Sequence, residues 1–180
     1  MDRLPHRPAS WWHPLCAIAL GVLPALAHAV DEAELEAAIV YNILLFAEWP
    51  AEALAKGAPL RLCVAAGNTL ANAMKTLQGR ELGSSPIETL ELAATAPAKP
   101  CHAAFVDAAA REKNAALLKT LRGSGTLVIS DDEQVPHDAA GIVLMRAGTK
   151  FVFEVNLQPV RQARVQLSSK LLRLAKTVRE

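Results

Sequence analysis

Ser168, Ser169 and Lys170 stand in succession in QLSSKLLRL near the end of the chain. A serine beside a lysine is a minimal set for nucleophilic catalysis, a hydroxyl to attack and an amine to take its proton. Such a pair needs a desolvated lysine and a facing oxyanion hole. The plainer role is that one of the serines caps a helix whose polar stripe is Lys170, Arg173 and Lys176. Ser130, Asp131 and Asp132 in ISDDEQ look superficially like a metal or phosphoacceptor site. They follow an apolar stretch, where turns and caps favour these residue types, so a solvated turn is expected. His102 and His137 stand apart, with no cysteine or carboxylate at ligand or triad spacing. These comparisons leave no catalytic constellation, and the expectation is a protein that is not an enzyme and needs no metal or cofactor.

Cysteine usage depends on where the chain resides. Arg3, His6 and Arg7 open the sequence, PLCAIALGVLPALA follows, and AHA at 27–29 has the small-x-small form of a cleavage site. The apolar run is too short and too proline-broken for a comfortable membrane span. Residues 1–29 therefore read as a secretory signal peptide, with an uncleaved anchor as the alternative, and residues 30–180 as one domain on the far side of the membrane. Removing Arg3, Arg7 and Asp2 turns 19 basic and 18 acidic residues into 17 of each. A neutral exported domain has no bulk electrostatic reason to seek nucleic acid, and its compartment disfavours ATP-dependent chemistry. Cys16 leaves with the signal, so Cys63 and Cys101 remain. An even pair in an oxidising compartment suggests one disulfide; two separate buried thiols are the alternative, and a metal site falls short of four ligands.

The elements that must position these residues follow from hydrophobic period. DEAELEAAIVYNILLFAEW predicts a helix with Leu35, Ile39, Asn42, Ile43 and Phe46 on one side, ended by Pro50. On that apolar side Asn42 is expected to bond neighbouring backbone. Trp49 and Phe46 are expected to anchor a core, although aromatic anchors are also enriched at interface centres. Residues 60–66 read as a strand, 69–79 as a helix capped by Asn68 or Thr69 and stopped by Gly79, and 85–92 as a strand with one buried face. After a loop rich in proline and alanine, 101–107 and 125–131 read as strands around a helix at 111–123. The alternation predicts an α/β fold, a mainly parallel sheet with helices on both faces. Residues 141–156 predict a C-terminal β-hairpin turning at Gly148. A short helix in LQPVRQA follows, then a longer closing helix with Leu167, Leu171, Leu174 and Val178 on one face.

Three stretches carry a resemblance: YNILLFAEWP, GTLVISDDE and GTKFVFEVNLQPVRQARVQLSSKLLRLAKTV. In order and span they resemble the blocks of the YfiR-like family of small exported proteins, whose best understood member represses an inner-membrane diguanylate cyclase by binding its periplasmic sensor domain. The last block is the most specific. Position by position, the resemblance covers Tyr41, Asn42, Phe46, Trp49 and Pro50, then Ser130 and Asp131, then Glu154, Asn156, Ser168, Ser169, Lys170 and Arg173, as candidate partner-binding or family-motif residues. It also places Cys63 and Cys101 where the family has a disulfide. Residues 141–156 lack the second cysteine pair of that repressor, so a redox switch at the hairpin is not expected.

The resemblance implies a periplasmic regulatory module that docks on the sensor domain of an inner-membrane diguanylate cyclase or sensor kinase, with a homodimer as a further possibility. The alternative is a periplasmic small-ligand receptor with its cleft at the carboxyl ends of the strands, where open α/β sheets usually bind. An envelope hydrolase using Ser169 and Lys170 is the third reading.

Overall fold

A computed structural model of the protein describes residues 31–65, 70–92 and 100–180. The expected signal peptide, the Asn68 or Thr69 cap and most of the proline- and alanine-rich loop lie outside the described residues.

Five strands form a parallel core: β2 (Leu60–Ala65), β4 (Ser85–Leu92), β5 (Ala103–Val106), β6 (Leu127–Ser130) and β7 (Ile142–Ala147). β3 (Glu81–Leu82) pairs antiparallel with β4. β8 (Lys150–Asn156) returns antiparallel along β7 as the expected hairpin, with Gly148 at φ 65° in its turn. β10 (Thr177–Arg179) adds parallel to β8, which gives the order β10-β8-β7-β6-β5-β2-β4-β3 in one eight-stranded sheet. From β2 the chain goes first to one side, into β4, and then to the other, into β5, so the strand order reverses around β2 as in doubly wound sheets.

Side chains alternate across this sheet because the strand period is two. Leu60, Leu62 and Val64 of β2, Phe105 of β5 and Leu127 and Ile129 of β6 point into the principal core. That core is shared with α1 (Glu32–Leu45), α2 (Ala71–Lys75), α4 (Leu157–Gln162) and α5 (Ser169–Leu174). Cys63, Ala65, Ala104, Val106 and Val128 face the other way, toward Leu117 and Leu121 of α3 (Arg111–Leu121). Both faces are covered, as the alternation of strands and helices predicts. Cys63 and Cys101 are joined by a disulfide with their Cα atoms 5.8 Å apart, tying the central strand to the segment ahead of β5.

Besides α2, which ends at Lys75 short of the expected stop at Gly79, two helices depart from expectation. α1 begins as expected, with Asp31 accepting from the Ala33 amide and Glu32 and Glu34 in the first turn. It stops at Leu45 instead of reaching Pro50, because Ala47 and Glu48 are used as strand β1 (Ala47–Glu48), paired antiparallel with β9 (Gln166–Leu167). Its buried stripe is Glu36, Ala37, Val40, Ile43 and Leu44, rotated from the expected one; Leu35 and Asn42 are exposed. A segment apolar on nearly every side does not fix its own facing, and the sheet does. The expected closing helix is the second correction. Only Ser169–Leu174 is helical; Leu167 lies in β9 and Val178 in β10, while Leu174 is 69% exposed. The free hydrogen-bonding edge of β8 recruits residues 177–179 as a strand, a tertiary pairing that overrides their helical period.

Candidate functional site

α1 runs opposite to the parallel strands, so its start lies at their carboxyl edge and its end at their amino edge. The two edges hold different chemistry.

At the carboxyl edge the acidic turn is buried rather than solvated. The Ser130 hydroxyl is fully buried, donates to the Val106 carbonyl at 2.6 Å and accepts from the Asp132 amide at 3.1 Å. Asp132 is 5% exposed and receives two charge-assisted bonds from the Arg111 guanidinium, each 2.6 Å, while Arg111 also donates to Gln134. Asp131 accepts from the Ala108 amide at 2.7 Å. Asn114 Nδ2 donates to the Asp107 carbonyl at 2.9 Å. These bonds fasten the end of β6 to the start of α3. Burial, seconded by Asp107, pushes the Asp131 carboxyl above its ordinary range against the bond from Ala108. Glu36 faces this cluster from α1. Burial first, then Asp131, Glu32 and Asp107, raise it to about 7, and Arg146, ion-paired with Glu32, opposes them. Its Oε1 is buried without a hydrogen-bond partner. Among the described residues no group of three or more histidine, cysteine or acidic side chains could hold a metal ion.

The serine–lysine pair has no catalytic geometry. Ser168 is the cap of α5, accepting from the Leu171 amide at 3.2 Å. Ser169 and Lys170 are both exposed, so the lysine is not desolvated. Arg173 lies exposed on the same short helix. Tyr41 donates to the Glu81 carbonyl at 2.9 Å and carries the Arg80 guanidinium 3.9 Å from its ring centroid. Asn42 bonds the Ala38 carbonyl, as expected in kind, from the exposed side of α1. Arg179 pairs with Glu154 at 2.8 Å and is the main cause holding that carboxyl below its usual range. Asn156 is buried, with Nδ2 on the Ala140 carbonyl. The candidate motif residues are thus spread over both edges and the β8 side of the sheet, not gathered into one site.

The amino edge is where concave surface and polar groups meet. Trp49 is half-buried against the principal core, and its indole Nε1 donates to the His102 carbonyl at 3.2 Å. On one side of it lies a groove of about 360 Å³ lined by Leu45, Trp49, Leu54 and Leu82, with Glu48 and Ser85 among its polar groups. Phe46 packs against the principal core, and its carbonyl accepts from the Ser168 amide. On the other side a cavity of about 420 Å³ is lined by Glu52, Arg61, His102, Arg164 and the Gly123–Gly125 turn. The imidazole of His102 accepts from the Arg61 amide at Nδ1, 2.8 Å, which places its proton on Nε2, 2.9 Å from the Ala53 carbonyl. Burial above all, with Arg61 adding, holds His102 below its ordinary pKa, against the bond to Ala53. Sequence reasoning missed Arg61 and Arg164 and set His102 aside, because the three converge only through the sheet order. The one signal was that His102 adjoins Cys101.

The chain matches known proteins in two ways. A family model described as YfiR/HmsC-like matches residues 33–176. The fold matches the crystal structure of a conserved domain protein from Vibrio cholerae O1 biovar El Tor, with a TM-score of 0.55 at 9% identity. That match covers 82% of this chain and 60% of the Vibrio chain, a likeness of fold alone. No curated protein matches the chain.

Proposed function

The chain belongs to the YfiR/HmsC-like family, and from that premise we propose that it is an exported, non-catalytic regulator of cyclic-di-GMP signalling. In this reading residues 1–29 are a cleaved signal peptide and residues 30–180 form the mature domain. That domain docks on the periplasmic sensor domain of an inner-membrane diguanylate cyclase, or a sensor kinase, and holds it inactive. The mechanism is a population shift, in which the regulator binds the inactive arrangement of the cyclase more tightly than the active one.

The observation that carries the reading is the family match across residues 33–176. The engagement of the chemistry-bearing side chains supports it, since Ser130, Asp132 and Ser168 are used in structural hydrogen bonds. Among the described residues no helix is long and apolar enough to cross a membrane. The groove beside Trp49 is the docking surface we assign. Its lip includes Leu45, a large apolar side chain left 42% exposed, and a partly exposed tryptophan is a common interface anchor.

Crosslinking of the tagged protein in living cells, followed by mass spectrometry, tests this. The expected capture is a membrane protein with a periplasmic domain and a cyclase or kinase output. Leu45→Asp should reduce that capture at least about tenfold, since burying a charge in an apolar interface is costly, with the melting temperature unchanged. Equal capture by Leu45→Asp moves the docking surface elsewhere. Recovery of self-crosslinks alone would replace the regulator reading with a homodimer that has another task.

A further inference from the structure

We propose that the cavity at the amino edge of the sheet is a binding site for a small organic oxyanion, held between Arg61 and Arg164. Its volume of about 420 Å³ falls in the range of small-molecule sites, which combine apolar walls with a few convergent polar groups. This inference does not rest on the regulatory reading.

Charge accounting singles out these two arginines. Arg111, Arg122, Arg146, Arg161 and Arg179 each meet a carboxylate, and Arg80 lies over Tyr41. Arg61 and Arg164 have no ion pair among the described residues, and both line the same cavity. Arg173, also without one, projects from α5 and lines none of the cavities named above. Arg61 is held in place by its own neighbours, with Nε donating to the Pro100 carbonyl at 2.6 Å. Its Nη2 lies 3.1 Å from His102 Nε2, and the neutral imidazole, which accepts from the Arg61 backbone at Nδ1, brings no negative charge. The guanidinium is therefore oriented but not neutralised, the state in which it recognises a carboxylate or phosphate best. Glu52 is the acidic side chain on the lining, and Glu88, the cross-strand neighbour of Arg61, acts on His102 from beside it, so the two arginines face one acidic group on the lining and one next to it.

The backbone at Arg164 adds an independent observation. It follows the last turn of α4 at φ 56°, in the left-handed region, the only described residue other than glycine to do so. Val165 donates to the Val160 carbonyl and Arg164 to that of Arg161, so this is a helix-ending position at which glycine is the usual residue. An arginine there carries a backbone cost without an ion pair in return, and strain of this kind clusters at ligand sites. Across the cavity, the Gly123–Gly125 turn has both glycines at positive φ, 72° and 83°. Ser124 is the side chain on that wall, and its hydroxyl is used on the Leu121 carbonyl and Thr126.

The backbone also supplies a discriminating variant. Arg164→Gly removes the guanidinium while relieving the left-handed conformation, so its melting temperature should equal or exceed that of the native protein. Calorimetric titration of the purified, disulfide-bonded protein with citrate and with pyrophosphate, at constant ionic strength, is the experiment. Saturable binding of either probe is expected, weakened at least about tenfold in Arg164→Gly and in Arg61→Gln. Preference for citrate identifies a carboxylate ligand, and preference for pyrophosphate a phosphate. Absence of saturable binding by both probes up to roughly 10 mM overturns the proposal, as does binding that neither variant changes.

Discussion

Glu36 shows most plainly how one residue can make the whole protein respond to its surroundings. Its carboxyl is 4% exposed and raised from 4.5 to about 7 by burial and by Asp131, Glu32 and Asp107. In the unfolded chain the same group titrates near its ordinary value. Between those two values the folded state holds a proton that the unfolded state has released, so stability falls as pH rises through the window from about 4.5 to about 7. Glu36→Gln keeps the shape and removes the titration. It is expected to be more stable than the native protein by about 1–2 kcal/mol at pH 8, a difference that shrinks toward pH 5. Chemical denaturation at the two pH values measures this, and equal differences at both would show that Glu36 does not titrate in the window. The sequence held little of this residue-scale picture. Asn42 and the Ser168 cap were legible because they bond their own neighbourhood. Glu36 was not, because a single glutamate just after an acidic first turn looks solvated until the sheet edge closes over it.

At the scale of elements, local period and turn chemistry were good guides wherever a segment's pairing stayed close in sequence. The strand at 85–92, the helix that begins at Arg111 and the hairpin turning at Gly148 all follow from patterns contained within them. The misreadings, at residues 47–48, 166–167 and 177–179, are short segments whose strand partners lie elsewhere in the chain. Their helical period was real, and a distant hydrogen-bonding edge outweighed it. The disulfide belongs to this scale as well, because it joins β2 to the segment entering β5 across a separation of 38 residues. Closing a loop of that length restricts the unfolded chain by roughly 4 kcal/mol in the chain-entropy model. Reduction should therefore lower the melting temperature by about 10 °C. Calorimetry before and after verified reduction is the check, and an unchanged transition would mean that the bond contributes nothing to stability.

Over the whole molecule, the two edges of one sheet differ in character. The carboxyl edge, where the small-ligand alternative places its cleft, uses Ser130, Asp132 and Arg111 in structural bonds. The amino edge carries both the groove assigned to docking and the cavity assigned to an oxyanion, with Trp49 between them. That division was invisible in the sequence, because it depends on which ends of separate strands come together.

The two-residue ladder between β1 and β9 has a kinetic side. Ala47 pairs with Leu167, about 120 residues further along, and contacts so distant in sequence are among the last that a folding chain can close. A chain delivered unfolded and N-terminus first cannot form this ladder until nearly all of it has emerged. Until then Ala47 and Glu48, which follow α1, lack their strand partner. Refolding should show early protection of β2, β5 and β6 and late protection of the Ala47 and Glu48 amides in pulsed hydrogen exchange. The central sheet would thus be in place before the β1–β9 ladder ties the end of α1 to the far end of the chain.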